Sequence, residues 1–112
     1  MNRGLLRSVL AVFVVLALFS LFLPVTRADD AAALYKSKCL MCHAADGSGN
    51  SPTGKAMKVP DLRSEDVQKK TDAQLIEATT NGKAKMPAFK GKLTDEQIKD
   101  LVKYVRELAK KK

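Results

Sequence analysis

The chain has two cysteines and one histidine, and all three fall within Cys39-Leu40-Met41-Cys42-His43. Any fold it adopts must give this pentapeptide a purpose. A disulfide between residues so close in sequence would close a very small loop and constrain little of the unfolded chain. A thioredoxin-like dithiol would need a βαβ setting, and no strand pattern surrounds the motif. A structural zinc ion takes four ligands, usually Cys or His, which this chain could complete only with a carboxylate or a partner chain. The reading that uses every residue is C-x-x-C-H, the attachment pattern of haem c. Side chains three apart on a helical turn share a face, so both thiols can add to the two vinyl groups along one side of a porphyrin. His43 follows directly, where its imidazole can rise beneath the iron.

The single histidine also limits the sixth iron ligand, because a bis-histidine haem within one chain would require a second one. The remaining soft donor is a thioether, and the four methionines can be told apart. Met1 belongs to the N-terminal export segment. Met41 lies inside the attachment turn and cannot reach the opposite face of the ring, so it is a packing or surface residue. Met57 sits between Lys55 and Pro60, where a flexible apolar side chain commonly fills a gap. Met86 is far enough along the chain to come round the ring, and Pro87 biases its backbone toward an extended form. Met86 is therefore the expected distal ligand, with simple core packing as the alternative. Axial Met with His raises the reduction potential relative to harder ligands.

The first 28 residues read as a secretory signal peptide. Arg3 and Arg7 form a basic start, Leu10 to Leu23 is apolar apart from Ser20, and Thr26-Arg27-Ala28 supplies small residues at the −3 and −1 positions of a cleavage site. The uninterrupted apolar run is shorter than the roughly 20 residues that span a bilayer, which favours cleavage over a permanent anchor. A domain of residues 29–112 would remain. At that size one core is marginal, and a covalently held cofactor would help to build it. Removing Arg3, Arg7 and Arg27 from the 20 basic side chains leaves 17 against 12 acidic ones. That excess, without interleaved aromatic residues, is not a nucleic-acid signature.

Helical signals dominate the rest, and no alternating run is long enough for a sheet. The pattern predicts a first helix from about Asp30 to Cys42 with Leu34 and Tyr35 inward, then a loop from Ala44 to Pro60 rich in Gly and Pro. Ser64 can cap a short turn through Lys69. Thr71-Asp72-Ala73-Gln74 is a capping box opening a helix that stops at Asn81-Gly82, with Leu75, Ile76 and Thr79 on one face. Thr94 to Gln97 is a second capping box, followed at helical spacing by Ile98, Leu101, Val102, Val105, Leu108 and Ala109.

From Ala31 to Lys112 the chain resembles a small bacterial class I cytochrome c. The motifs that carry the resemblance are Tyr35-Lys36-Ser37-Lys38-Cys39-Leu40-Met41-Cys42-His43, Met86-Pro87-Ala88-Phe89 and Leu101-Val102-Lys103-Tyr104-Val105. It implies an all-α fold wrapped around one haem, whose first and last helices cross with an aromatic from each side, positions that Tyr35 and Tyr104 match. The family usually has glycine eight residues before the first cysteine, and here Ala31 stands there. The family also orients its proximal histidine with a proline carbonyl; Pro52 matches that residue, with Pro60 as the second candidate.

The expected function is one-electron transfer between exported or membrane-bound redox proteins by a monomer in the bacterial periplasm. A photosynthetic lumen, or anchoring by an uncleaved N-terminal segment, follows the same export logic. With His43 and Met86 holding iron in both redox states, little has to move, and no catalytic acid, base or nucleophile is required, so the chain is not expected to be an enzyme. Lys83, Lys85, Lys90 and Lys92 flank Met86, an arrangement able to steer partners with acidic docking surfaces; an ordinary solvated face is the alternative. Two other functions stay open: a haem-based sensor with an open sixth position, and a tightly held subunit of an oxidase or dehydrogenase.

Overall fold

The computed structural model describes residues 2–20, 24 and 26–112. Met1, the Leu21 to Leu23 end of the expected apolar run, and Val25 lie outside the described residues. Among the described residues seven helices follow in order: α1 (Arg3–Ser20), α2 (Arg27–Lys38), α3 (Leu40–His43), α4 (Pro52–Met57), α5 (Glu65–Gln68), α6 (Asp72–Asn81) and α7 (Asp95–Lys110). Among the described residues the only β-type pairings are isolated bridges, Lys83 with Met86 and Lys90 with Leu93. The fold is all-α.

The helix α1 buries none of its residues. It is the one described helix long and apolar enough to cross a membrane, and its place near the N-terminus is equally compatible with a signal sequence. The helix α2 opens on Thr26, whose hydroxyl accepts from the Asp29 amide at 3.3 Å. The expected cleavage point after Ala28 therefore falls within the first turn of α2. Asp29 and Asp30 at its start and Lys36 and Lys38 at its end complement the helix dipole.

The core forms where α2 meets α7. Ala31 and Tyr35, four apart on one face of α2, are each only 2% exposed, and Ile98, Leu101, Val102 and Leu108 of α7 are buried. Ala31 occupies the place at which the resembled family has glycine, and its methyl group is fully enclosed. The rings of Tyr35 and Tyr104 lie 5.1 Å apart, tilted by 50°, a favourable offset for two aromatic quadrupoles. Both predicted capping boxes form, Thr71 with Gln74 and Thr94 with Gln97. Ser64 caps α5 by accepting from the Val67 amide.

Two local departures from the sequence expectations matter. The first helix does not run unbroken into the motif: α2 ends at Lys38, Cys39 is the junction, and α3 starts at Leu40. The stretch from Ala44 to Pro60 is not all loop, because Ser51 caps a six-residue helix whose first position is Pro52. Proline suits that position, since its missing N–H is one the helix leaves unpaired anyway. The glycines around it conceal this start signal.

The helix α4 packs on the backbone of α3. The Ser51 hydroxyl donates to the carbonyls of Met41 at 2.8 Å and Cys42 at 3.2 Å, and it accepts from the Gly54 amide at 2.9 Å. Gly54 is buried, and a β-carbon there would drive into the carbonyl oxygens of Cys42 and Gly49. Glycine is required by space, not by φ. Replacing Ile98, 1% exposed, with alanine should cost about 2–5 kcal/mol in denaturant unfolding of the intact protein. Gly54→Ala should cost about 1–3 kcal/mol by overpacking, with its largest chemical-shift changes in residues 41–49.

Candidate haem site

Cys39 stands at the bend between two helices. Its N–H donates to the Tyr35 carbonyl at 2.9 Å, and its own carbonyl accepts from Cys42 at 3.2 Å and His43 at 2.9 Å. Residues 39–43 are thus one closed helical turn, which puts Cys39 and Cys42 on the same side. Both are half-buried, and no disulfide joins them. Before any attachment, burial first, and the neighbouring Cys42 second, push the Cys39 thiol up to about 11.

Burial holds His43 below the usual histidine range. Its imidazole is neutral at physiological pH, the state in which a ring nitrogen can ligate a metal. The Nδ1 atom is buried with no hydrogen-bond partner. No proline carbonyl accepts from it: Pro52 opens α4, and both Pro52 and Pro60 are exposed. The contact expected of Pro52 is therefore not made in this structure.

What holds the turn in place was only partly visible in the sequence. The carbonyl of His43 accepts from the Gly49 amide at 2.9 Å, and the carbonyl of Ala44 accepts from the Tyr35 hydroxyl at 2.8 Å. Burial pushes the Tyr35 hydroxyl above its ordinary pKa, which keeps it a donor. Ala44 itself takes φ of +61°, turning the chain sharply away from His43. Arg63 forks onto Asp61 at 3.0 and 3.1 Å and reaches Asp46 at 3.5 Å, closing the far end of the loop. Both carboxyls sit below the ordinary range, with hydrogen bonds from Arg63 to Asp61 and from Ser48 to Asp46 as the leading causes.

Met86 is presented by a tight turn after α6. The amide of Met86 donates to the Lys83 carbonyl at 2.9 Å and the Lys83 amide donates back at 3.2 Å. Gly82, at φ +77°, opens the turn; a β-carbon there would lie 2.7 Å from the Met86 carbonyl oxygen. Met86 is half-buried, and Phe89, 9% exposed, pins the end of the segment. Lys83, Lys85, Lys90 and Lys92 are all exposed. Met41 is 73% exposed, as a surface residue should be, and Met57 is half-buried at the end of α4.

The donor set fits a covalently held haem. It comprises two thiols on one face of a turn, a neutral imidazole beside them and a half-buried thioether on a separate segment. Among the described residues, no cluster of three or more His, Cys, Asp or Glu side chains is placed to hold a bare metal ion.

The relationships of the chain agree with this chemistry. Residues 26–105 match the family described as cytochrome c oxidase, cbb3-type, subunit III. A cytochrome c6 of Leptolyngbya boryana is 39% identical over 85 residues, covering 73% of this chain and 96% of that protein. A cytochrome c6 of a Nostoc species is 35% identical over 100 residues, covering 88% and 87% of the two chains. The solved KustC0563 c-type cytochrome superposes with a TM-score of 0.64 at 32% identity, covering 70% of this chain and 95% of that one. The chain belongs to the c-type cytochromes, as a small all-α protein of class I that carries electrons on one covalently held haem c.

Proposed function

We propose that this protein is an exported one-electron shuttle in which Cys39 and Cys42 hold the haem through thioethers and His43 and Met86 ligate its iron. The observation that carries the reading is the closed turn of residues 39–43, with two cysteines on one side followed by a half-buried imidazole whose Nδ1 atom is enclosed. The bound haem supplies the one-electron chemistry. The task of the chain is to keep both axial donors still. The α3 backbone is fixed by Ser51, Gly49 and Tyr35, and the Met86 turn is fixed by its bonds to Lys83 and to α6. Donors held this way in both redox states keep the reorganisation small. His/Met ligation also raises the potential relative to harder ligand pairs.

The apolar α1 and the Thr26-Arg27-Ala28 sequence support export with cleavage after Ala28, leaving residues 29–112 as a monomer in the periplasm. The four exposed lysines around Met86 support docking on acidic redox partners through long-range attraction. A second reading is favoured by the family match itself, whose description is of an oxidase subunit: the chain would be a tightly held component of a larger complex. Retention in a membrane complex through high-salt washing would favour the subunit; release would favour the shuttle.

Oxidised protein matured with haem c should be low-spin and show the sulfur-to-iron charge-transfer band. Met86→Ala should lose that band, bind carbon monoxide when reduced and have a lower reduction potential. A wild type that is high-spin and binds carbon monoxide readily would instead indicate an open sixth position and a sensor. Electron exchange with an acidic partner should slow by about an order of magnitude between low and high salt, and less so when Lys83 and Lys85 are changed to Gln.

A further inference from the structure

Arg106 makes five hydrogen bonds to a stretch more than thirty residues earlier in the chain. Its Nε and Nη2 donate to Asp72 Oδ1 at 3.1 and 2.8 Å, and Nη2 also donates to the Lys70 carbonyl at 2.6 Å. Its Nη1 donates to the carbonyl of Gln68 at 3.0 Å and to Gln68 Oε1 at 3.2 Å. The side chain is only 23% exposed. The ion pair with Asp72 is a minor part of this, because that carboxylate is 65% exposed and water screens it. Two of the bonds end on backbone carbonyls. A planar guanidinium can reach both carbonyls and the carboxylate at once, whereas an ammonium cannot copy that fork.

The stretch so clamped, Gln68 to Asp72, joins α5 to α6 and contains the first residue of α6. At its other end, α6 carries the Met86 segment on its exposed carbonyls. The Phe89 amide donates to the Thr79 carbonyl at 3.1 Å and the Lys90 amide to the Thr80 carbonyl at 2.9 Å. The backbone at Gly82 lies directly against the carbonyl of Met86. The helix α6 therefore acts as a short platform, fixed to α7 at its start and supporting residues 83–90 at its end.

We propose that Arg106 is a positioning residue for the distal ligand: by clamping the start of α6 to α7, it keeps the Met86 turn from swinging away from the iron. The inference rests on Met86 being that ligand. It assigns Arg106 no contact with the haem and no part in electron transfer itself.

The test uses the intact haem protein and Arg106→Met, which keeps the apolar stem and removes the fork. Amide exchange is followed without denaturant, where openings short of global unfolding are visible. The amides of Phe89 and Lys90 should exchange about tenfold faster, and the reduced protein, losing more often the ligand behind the sulfur-to-iron band, should bind carbon monoxide about tenfold faster than wild type. Lys103→Met, which removes only an exposed partner of Asp100, should change neither. Should Arg106→Met fail to fold, Asp72→Asn should give the same pattern at smaller amplitude. The proposal is overturned if Phe89 and Lys90 exchange at the wild-type rate and carbon monoxide binds no faster, whatever happens to Leu101 and Val102. A wild type with no such band, but with Phe89 and Lys90 still quickened in Arg106→Met, would sink Met86 ligation while upholding the clamp.

Discussion

The contact of Tyr35 with both α7 and Ala44 is the constraint from which the rest of the structure follows. Its ring meets Tyr104 at 5.1 Å, and its hydroxyl bonds the carbonyl of Ala44 at 2.8 Å. One residue thus joins the crossing of the terminal helices of the domain to the backbone immediately after His43. If the crossing shifts, the histidine shifts with it. Tyr35 does this because a tyrosine buries a large apolar ring while offering one polar atom that must find a partner when enclosed.

The protein half of the core is thin. Ala31, Tyr35, Val67, Phe89, Ile98, Leu101, Val102 and Leu108 are its buried apolar residues, while Leu34, Leu62, Leu93, Tyr104 and Val105 are only partly covered. A domain this small gains limited stability from burial of its own side chains. Haem c supplies a large apolar body, and its covalent attachment means that the core cannot dissociate. The same requirement explains why α4 seals against α3 through a glycine and a serine, since no larger side chain would let the two backbones meet.

The chain matches an oxidase-subunit family over residues 26–105 and also aligns with cytochrome c6 proteins, one of them over 85 residues. A shared fold does not choose between a diffusing carrier and a bound subunit, because that choice is made on the surface. The exposed lysines around Met86 lie on that surface, apart from the attachment turn.

The attachment motif, the two capping boxes, the inward face of α7 and the roles of Tyr35 and Tyr104 were all legible in the sequence. Each depends on residues within a turn or two of one another, or on a family pattern with fixed spacing. The helix break at Cys39 and the helix at Pro52–Met57 were not legible, because bonds between α3 and α4 outweigh local composition there. The Pro52 contact to His43 was expected from a family pattern, and in this structure His43 Nδ1 has no hydrogen-bond partner. Arg106 reads in sequence as one more basic residue on the polar face of an amphipathic helix. Only the packing of α7 against the α5–α6 junction brings it to the carbonyls of Gln68 and Lys70, and a bond spanning more than thirty residues leaves no local pattern. The sequence by itself determined the chemistry of the cofactor, since that requires three side chains within five residues. The tertiary structure decided what holds the attachment turn and the Met86 segment in place, since that requires segments far apart in the chain to meet.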